Sequence, residues 1–370
     1  MSLNGLHTQE KRPMVSIGMT VYNQEKYVAH AIESILMQRV DFDIEIVIAE
    51  DCSTDRSREI VIEYAERYPQ VIRTILQEHN VGLKQQSICL KKACRGKYRA
   101  QLEGDDYWID PFKLKKQVDF LENNPDFVAV SGRIKCVDPH DRNCKFPYGE
   151  LTNIYFFDGE YTAKDFEKWL LPSHTGALLY RNVYYNCDQE RFERYEAVDV
   201  MGDRKTALML LGHGRMMVLP DTVSVRRIDL GSAANFTSNS VKIKPYATIC
   251  TWMDRLEVMA DDMYGISIDM KLEKRKQWIY ALKNFARFPN RDNLAGIKAI
   301  YRMSREKHVL VSLANAGLRE KMKKKIKKEG FFHALGGMVK FCFKSLGKIT
   351  KSRKTDRKAS ERVISGDAQK

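Results

Sequence analysis

Three acids in four residues, Glu103, Asp105 and Asp106, follow directly on the strand-like stretch 96–102. A second acid, Asp51, follows the apolar stretch 44–49. A helix cap needs one carboxylate, whereas three in succession repel one another unless a cation sits among them. Carboxylates hold hard cations such as Mg²⁺ or Mn²⁺, and these in turn hold diphosphate oxygens. Asp51 offers a different chemistry, since a lone carboxylate accepts hydrogen bonds from ribose hydroxyls or a base N–H. The plainer alternative for both groups is a solvated turn that caps the next helix. Competing motifs fail. No GxGxxG follows the first apolar stretch, and Gly96-Lys97 is followed by Tyr98 and lacks the earlier glycine of a phosphate loop. None of the eight cysteines forms a CxxC pair, and His79, His174 and His213 lack HExxH-type spacing, so each reads as structural.

The elements that must carry these acids are legible from periodicity. Residues 14–22 are apolar and β-rich and predict a buried strand. Val28, Ile32, Ile35 and Leu36 then recur at helical spacing. Residues 44–49, 71–76 and 96–102 predict three more strands, with helices between them, and Ser53 or Asp55 can cap the helix that carries Ile60, Tyr64 and Tyr68. Strands alternating with helices imply βαβ units and a mainly parallel sheet, whose ligands bind beyond the C-terminal strand ends. Both acid groups stand there. A helix over 113–123 and a strand near 128–131 follow, then a loop-rich stretch to about residue 160 and a mixed segment to about 239. From 242 to about 316 the pattern is helical.

Composition bounds the function. The 370 residues are 44% hydrophobic, enough for a core, and no apolar run reaches the ~18 residues of a spanning helix. The polar residues 1–13 do not resemble a secretory signal, so reduced thiols in a cytoplasm are expected. The formal net charge of +14 suggests nucleic acid until it is located. Residues 319–358 carry 15 Lys and Arg against three acids, which is +12 of the total. The rest is nearly neutral, without the basic footprint of a duplex-binding domain, so no nucleic-acid partner is expected.

The segments VSIGMTVYNQEKYVAHAIESILMQ (15–38), EDCSTDRS (50–57), NVG (80–82) and LEGDDYWIDPFKLKKQ (102–117) occur in this order. Together they resemble the family 2 glycosyltransferases. That resemblance implies an α/β GT-A fold, a Rossmann-like mainly parallel sheet flanked by helices, here with a C-terminal helical extension. It implies domains at 13–240 (13–131 for the nucleotide-sugar, 132–240 for the acceptor), a helical extension at 241–318 and a basic tail at 319–370. Thr20 and Tyr22 would lie against the nucleobase, and Asp51 would bond base or ribose. Asn80 belongs to the NxG turn, and Lys84 stands in for an Arg that relatives carry after it. Glu103 and Asp105 fall on the DxD acids, with Asp106 beside them; the longer arm of Glu103 favours Asp105 as ligand of Mg²⁺ or Mn²⁺.

Further on, MGDRKTALMLLGHGRMMVLPDTVSVRRIDLGS resembles the acceptor half. Asp203 falls on the catalytic base and Asp229 on a position where relatives have a metal-binding His; the helix-capping alternative for Asp203 stays open. His174 or Thr175, within PSHTGALLYRN, would face the sugar. The implied reaction moves a sugar from a nucleotide diphosphate-sugar, UDP-linked in this reading, to an acceptor hydroxyl with inversion at the anomeric carbon. It is of hexosyltransferase type and non-processive, because QxxRW and spanning helices are missing. A glycan or lipid-linked saccharide acceptor and a place in bacterial surface polysaccharide synthesis follow by analogy. A sugar nucleotidyltransferase would share sheet and metal but release pyrophosphate. A non-catalytic nucleotide-sugar binding module would tolerate loss of the acids.

In the tail, Phe331, Phe332, Leu335, Met338, Val339, Cys342, Leu346 and Ile349 recur at helical spacing, with Lys340, Lys344, Lys348 and Lys351 on another side. This is the composition of an interfacial helix, which would hold the enzyme through residues 331–358 on an anionic membrane surface, peripheral to the inner face of the cell membrane. The alternative is packing of the apolar stripe on the body. Each Lys or Arg near an anionic surface contributes about 1 kcal/mol. Truncation after Leu318 is therefore expected to reduce sedimentation with phosphatidylserine liposomes. Unchanged sedimentation would refute the anchor.

Overall fold

Buried apolar strands separated by amphipathic helices build the first half of one sheet. The computed structural model describes residues 12–144, 158–228 and 246–287; Asp229 and the tail 319–370 lie outside the described residues. All described residues belong to one unit within Met1–Met303. In chain order the elements are β1 (Val15–Val21), α1 (Val28–Leu36), β2 (Ile44–Glu50), α2 (Ser57–Arg67), β3 (Ile72–Leu76), α3 (Gly82–Ala93), β4 (Tyr98–Glu103), β5 (Tyr107–Trp108), α4 (Lys113–Asn123) and β6 (Phe127–Val137). After these come β7 (Gly159–Tyr161), α5 (Ala163–Glu167), β8 (Leu179–Arg181), α6 (Gln189–Ala197), α7 (Gly202–Leu211), β9 (Arg215–Arg227), α8 (Tyr246–Tyr264) and α9 (Lys271–Arg287).

The sheet runs in the order β3-β2-β1-β4-β8-β6-β9-β5, with β7 also on β9. Strands β3, β2, β1 and β4 are parallel. Every residue of β1 is buried, because parallel strands are covered on both faces and must be apolar on both. Val28, Ala31, Ile32 and Ile35 give α1 the stripe that packs on them. Beyond β4 the sheet becomes mixed: β8 is antiparallel to β4 and to β6, whereas β9 is parallel to β6. The mixed segment 160–239 hides these pairings because β7 and β8 are only three residues long.

The order 3-2-1-4 sends the chain one way from β1 and the other way from β4, which opens a crevice at their C-terminal ends. Two loops close one side of it by bonding each other. The backbone N–H groups of Asn23, Gln24 and Glu25 donate to Ser53 Oγ (3.0 Å), Ser57 Oγ (2.7 Å) and Asp55 Oδ2 (3.0 Å). In return Thr54 N–H donates to Asn23 Oδ1 (2.8 Å) and Arg56 N–H to Glu25 Oε2 (3.1 Å). Asn23 and Cys52 both adopt positive φ (52° and 57°), which turns the two loops toward each other. The N-cap of α2 is Arg56, not Ser53 or Asp55 as expected, but Asp55, one residue earlier, takes the Ser57 N–H at 2.9 Å.

Gly96 stands at the opposite end of the sheet. A Cβ there would lie 2.4 Å from the Ser16 backbone nitrogen, so its glycine serves packing rather than phosphate. The expected C-terminal helices are α8 and α9. Met253, Leu256, Met259 and Ala260 of α8 join Leu208 and Met209 of α7 in one core. No helix among the described residues is long and apolar enough to cross a membrane.

One buried cation makes the fold sensitive to pH. Lys113 is fully buried. Its ammonium donates to Gln117 Oε1 at 2.8 Å and lies 4.1 Å from the centre of the Trp108 ring. Burial lowers its pKa to about 7, against the pull of Asp110. The unfolded chain keeps this proton up to the ordinary lysine range, so between about pH 7 and 10 the unfolded state binds more protons than the folded one. Stability is therefore expected to rise with pH across that window, by up to about 1.4 kcal/mol per pH unit from this group. Urea unfolding at pH 7 and pH 9 checks it: Lys113→Met is expected to reduce the gain shown by the wild-type chain, and an equal gain in both would exclude Lys113 as its source.

Candidate active site

The C-terminal ends of β1, β2 and β4 collect most of the residues with chemistry to offer. Thr20, nearly the last residue of β1, pairs across the sheet with Glu103, the last of β4, and its carbonyl accepts the Gly104 N–H at 3.1 Å. Thr20 is buried and Tyr22 half-buried. Asp51, just past β2, is buried, and its carboxylate accepts the N–H groups of Val81 (2.7 Å) and Gly82 (2.9 Å). It thus holds the Asn80-Val81-Gly82 turn and the N-terminus of α3, where orphan amides and the helix dipole favour an anion. Asn80 and Lys84 are exposed beside it. Glu50, not singled out by the sequence, takes the Ser53 N–H at 2.7 Å and pairs with Arg58, which also reaches the Gln77 carbonyl. That latch ties the β2 loop to the end of β3.

Past β4 the chain doubles back: β5 pairs antiparallel with the end of β9. This turn packs Glu103, Asp105 and Asp106 against Arg226 and Arg227. The Arg227 N–H donates to Asp106 Oδ1 at 2.8 Å and its Nε to the Asp105 carbonyl at 3.2 Å, while its Nη1 pairs with Asp141 at 2.5 Å. The Arg227 guanidinium lies over the Tyr27 ring, 4.4 Å from its centre. Burial, then the charge of Asp105, raises the Glu103 pKa to about 7; Arg226 opposes this and Asp203 adds to it. Burial and the charges of Asp105 and Glu103 push Asp106 well above the usual carboxylate range. Asp203 is thus within electrostatic reach of Glu103. It sits half-buried as the second residue of α7, where Met201 is the N-cap, and it accepts the N–H of its neighbour Arg204 at 2.7 Å.

Sequence reasoning set His174 aside as a metal ligand, yet the structure carries it to the acids. Its Nδ1 stands 3.4 Å from Asp106 Oδ2, and Glu103, Asp106 and His174 each offer a ligand atom within 4.8 Å of the other two. Burial, with the charge of Arg226, holds its pKa well below the ordinary value. Two carboxylates and an imidazole are a donor set that suits a divalent cation, and Asp105 adjoins them. Arg226 and Arg227 were also passed over, although an Arg pair just before Asp229 was visible. His213 is elsewhere, with Nδ1 2.8 Å from the Met209 carbonyl, and His79 is exposed.

Residues 16–187 match the family model described as glycosyl transferase family 2. An uncharacterised protein of Mycobacterium bovis is 33% identical over 223 residues, covering 58% of each chain. An uncharacterised glycosyltransferase of Methanocaldococcus jannaschii is 29% identical over 164 residues, 44% of this chain and 53% of its own. The chain thus spans little more than half the length of these curated relatives. Among solved structures, S. aureus TarS in complex with UDP is 17% identical at a TM-score of 0.48, over 74% of this chain and 72% of that one. A Pyrobaculum calidifontis mannosyltransferase in complex with GDP-Man and Mn²⁺ is 16% identical at 0.45, over 86% and 89%. The four ordered motifs and the sheet that carries them agree with the match of residues 16–187 to glycosyl transferase family 2.

Proposed function

We propose that this chain transfers a single sugar from a nucleotide diphosphate-sugar, UDP-linked in the first instance, to an acceptor hydroxyl, with inversion and with a divalent cation, Mg²⁺ or Mn²⁺. The observation that supports the reading is the gathering of Glu103, Asp106 and His174, each with a ligand atom within 4.8 Å of the other two, at the end of β4, with Asp203 near enough to act on Glu103 electrostatically. The nucleotide would lie along Thr20, Tyr22 and the Asp51-held turn, with Asn80 and Lys84 at its edge. Glu103, Asp105 and Asp106 would hold the cation, together with Asp229 if the chain beyond β9 returns to them. When bound, that cation supplies Lewis-acid neutralisation of the diphosphate leaving group. Arg226 supplies fixed positive charge on the same side. Asp203 takes the acceptor proton as the hydroxyl attacks, since a carboxylate within hydrogen-bond reach suits that step.

The division at 13–240, 241–318 and 319–370, an acceptor of glycan or lipid-linked type and a membrane-surface role for 331–358 complete the proposal. An acceptor held at a bilayer would explain why the basic, apolar-striped segment is there.

A panel of nucleotide-sugars tests the reaction, with released nucleoside diphosphate read against pyrophosphate. Asp203→Asn is expected to lower turnover by roughly 10²–10⁴-fold and to leave donor affinity unchanged by calorimetry. EDTA should stop the wild-type reaction, and added Mn²⁺ or Mg²⁺ should restore it. Near-normal turnover of Asp203→Asn would remove it as the base. Pyrophosphate in place of nucleoside diphosphate would reassign the chain as a nucleotidyltransferase.

A further inference from the structure

We propose that His174 is a direct ligand of the cation, through Nδ1, and that its imidazole makes the site select Mn²⁺ and similar transition ions over Mg²⁺. This rests on the cation-dependent transfer proposed above and names a ligand that the DxD reading omits.

The inference starts from two buried acceptors that face each other. Asp106 is 2% exposed and His174 is 8% exposed. Asp106 Oδ1 is committed to the Arg227 N–H, whereas Oδ2 accepts no hydrogen bond among the described residues. His174 Nδ1 is oriented as an acceptor toward the Gly176 N–H, at 3.5 Å. The same nitrogen stands 3.4 Å from Asp106 Oδ2. A buried carboxylate oxygen and a ring nitrogen that close are bridged by a proton or, once Nδ1 gives up its long contact with the Gly176 N–H, by a cation. Ligands about 2.1 Å from one ion stand about 3.0 Å apart at adjacent octahedral positions and about 4.2 Å apart at opposite ones. The 3.4 Å separation, and the 4.8 Å bound that includes Glu103, come within a small shift of these values.

The backbone turn that carries His174 is also held from several sides, which limits where its ring can go. Ser173 Oγ donates to the Gly132 carbonyl at 2.7 Å, and Trp108 Nε1 to the Gly176 carbonyl at 2.6 Å. The Trp108 N–H is fixed in turn by Ser34 Oγ at 3.0 Å, and Lys113 lies against its ring. A Cβ at Gly176 would come within 3.0 Å of Ser224 Oγ, so the turn that presents His174 rests directly on β9. Mg²⁺ prefers an all-oxygen shell and sheds water reluctantly, whereas the divalent transition ions accept a nitrogen ligand, Mn²⁺ least strongly and Fe²⁺, Co²⁺ and Ni²⁺ increasingly so. One nitrogen in the donor set therefore biases the site toward Mn²⁺.

The test uses the full chain loaded with Mn²⁺, alone and with UDP. Pulsed electron paramagnetic resonance should show ¹⁴N modulation on the bound Mn²⁺. Growth on ¹⁵N-imidazole-labelled histidine should replace it with the ¹⁵N signal, which needs no variant that might fail to fold. His174→Ala should abolish the modulation, weaken Mn²⁺ at least tenfold and narrow the Mn²⁺-to-Mg²⁺ affinity ratio several-fold. Mn²⁺ that binds wild type without histidine nitrogen coupling would overturn the assignment and leave the cation on the carboxylates, with the transfer reading intact. Transfer that persists in EDTA, in a chain that binds no Mn²⁺ with UDP, would overturn the cation-dependent reading as well.

Discussion

Three carboxylates at the end of one buried strand are the constraint that the rest of the structure answers to. Left alone, Glu103, Asp105 and Asp106 disfavour one another's ionisation, and burial compounds the effect. A protein that selected only for stability would replace them. This chain instead brings the two arginines at the end of β9 alongside, folds β5 back to pair with that strand, and sets His174 against Asp106. Most of these features require residues more than 65 positions apart in sequence. Their common effect is to keep the acidic groups together, with Asp106 buried and Glu103 and Asp105 partly so. Perturbed groups that converge in a cleft are the physical mark of a working site.

The fold serves this constraint by fixing two loops that have no regular structure of their own. The β1 and β2 loops exchange five backbone-to-side-chain bonds, and Asp51 pins the start of α3. Thus Ser53, Asp55 and Ser57 in the EDCSTDRS segment hold loop against loop. They leave the crevice wall rigid without pointing at a ligand. Asp51 spends one lone pair of each oxygen on backbone amides and has others left. The same geometry therefore supports both the capping and the binding reading of that residue.

Much of the parallel half was legible in the sequence. The strands over 15–50 and the helix at 113–123 fall where periodicity places them, because a strand buried on both faces is apolar throughout and an amphipathic helix repeats every 3.6 residues. Legibility ended where contacts ceased to be local. Strands β7 and β8 are too short to show a period, and nothing in PSHTG announces that its histidine lies beside acids almost 70 positions earlier. Arg227 likewise gives no local sign that it is buried, opposite Val137 of β6 and against Asp106. Asp105 and Asp106 were legible as a pair, but their unequal surroundings were not: only Asp106 receives the Arg227 N–H and faces His174.

One ion cluster links helix α3 to helix α7. Glu196 on α6 is buried and binds Lys91 of α3 at 2.6 Å and Lys205 of α7 at 3.2 Å. Lys205 also donates to the Tyr195 carbonyl at 3.2 Å. Helix α3 begins at the turn held by Asp51, and α7 begins with Asp203, so one carboxylate joins the two helices that carry them. Burial lowers the Lys91 pKa to about 8 in spite of Glu196, which shows that a single anion does not fully compensate two buried ammonium groups. Arg99, fully buried against Tyr184 with Nη1 on the Leu90 carbonyl, adds a third cation to the same interior. Buried ion groups of this kind cost desolvation and are weak evidence for stability. What this one supplies is position: shortening Glu196 would release α3 and α7 from each other, and the spacing between the nucleotide turn and Asp203 would no longer be set by a rigid bridge.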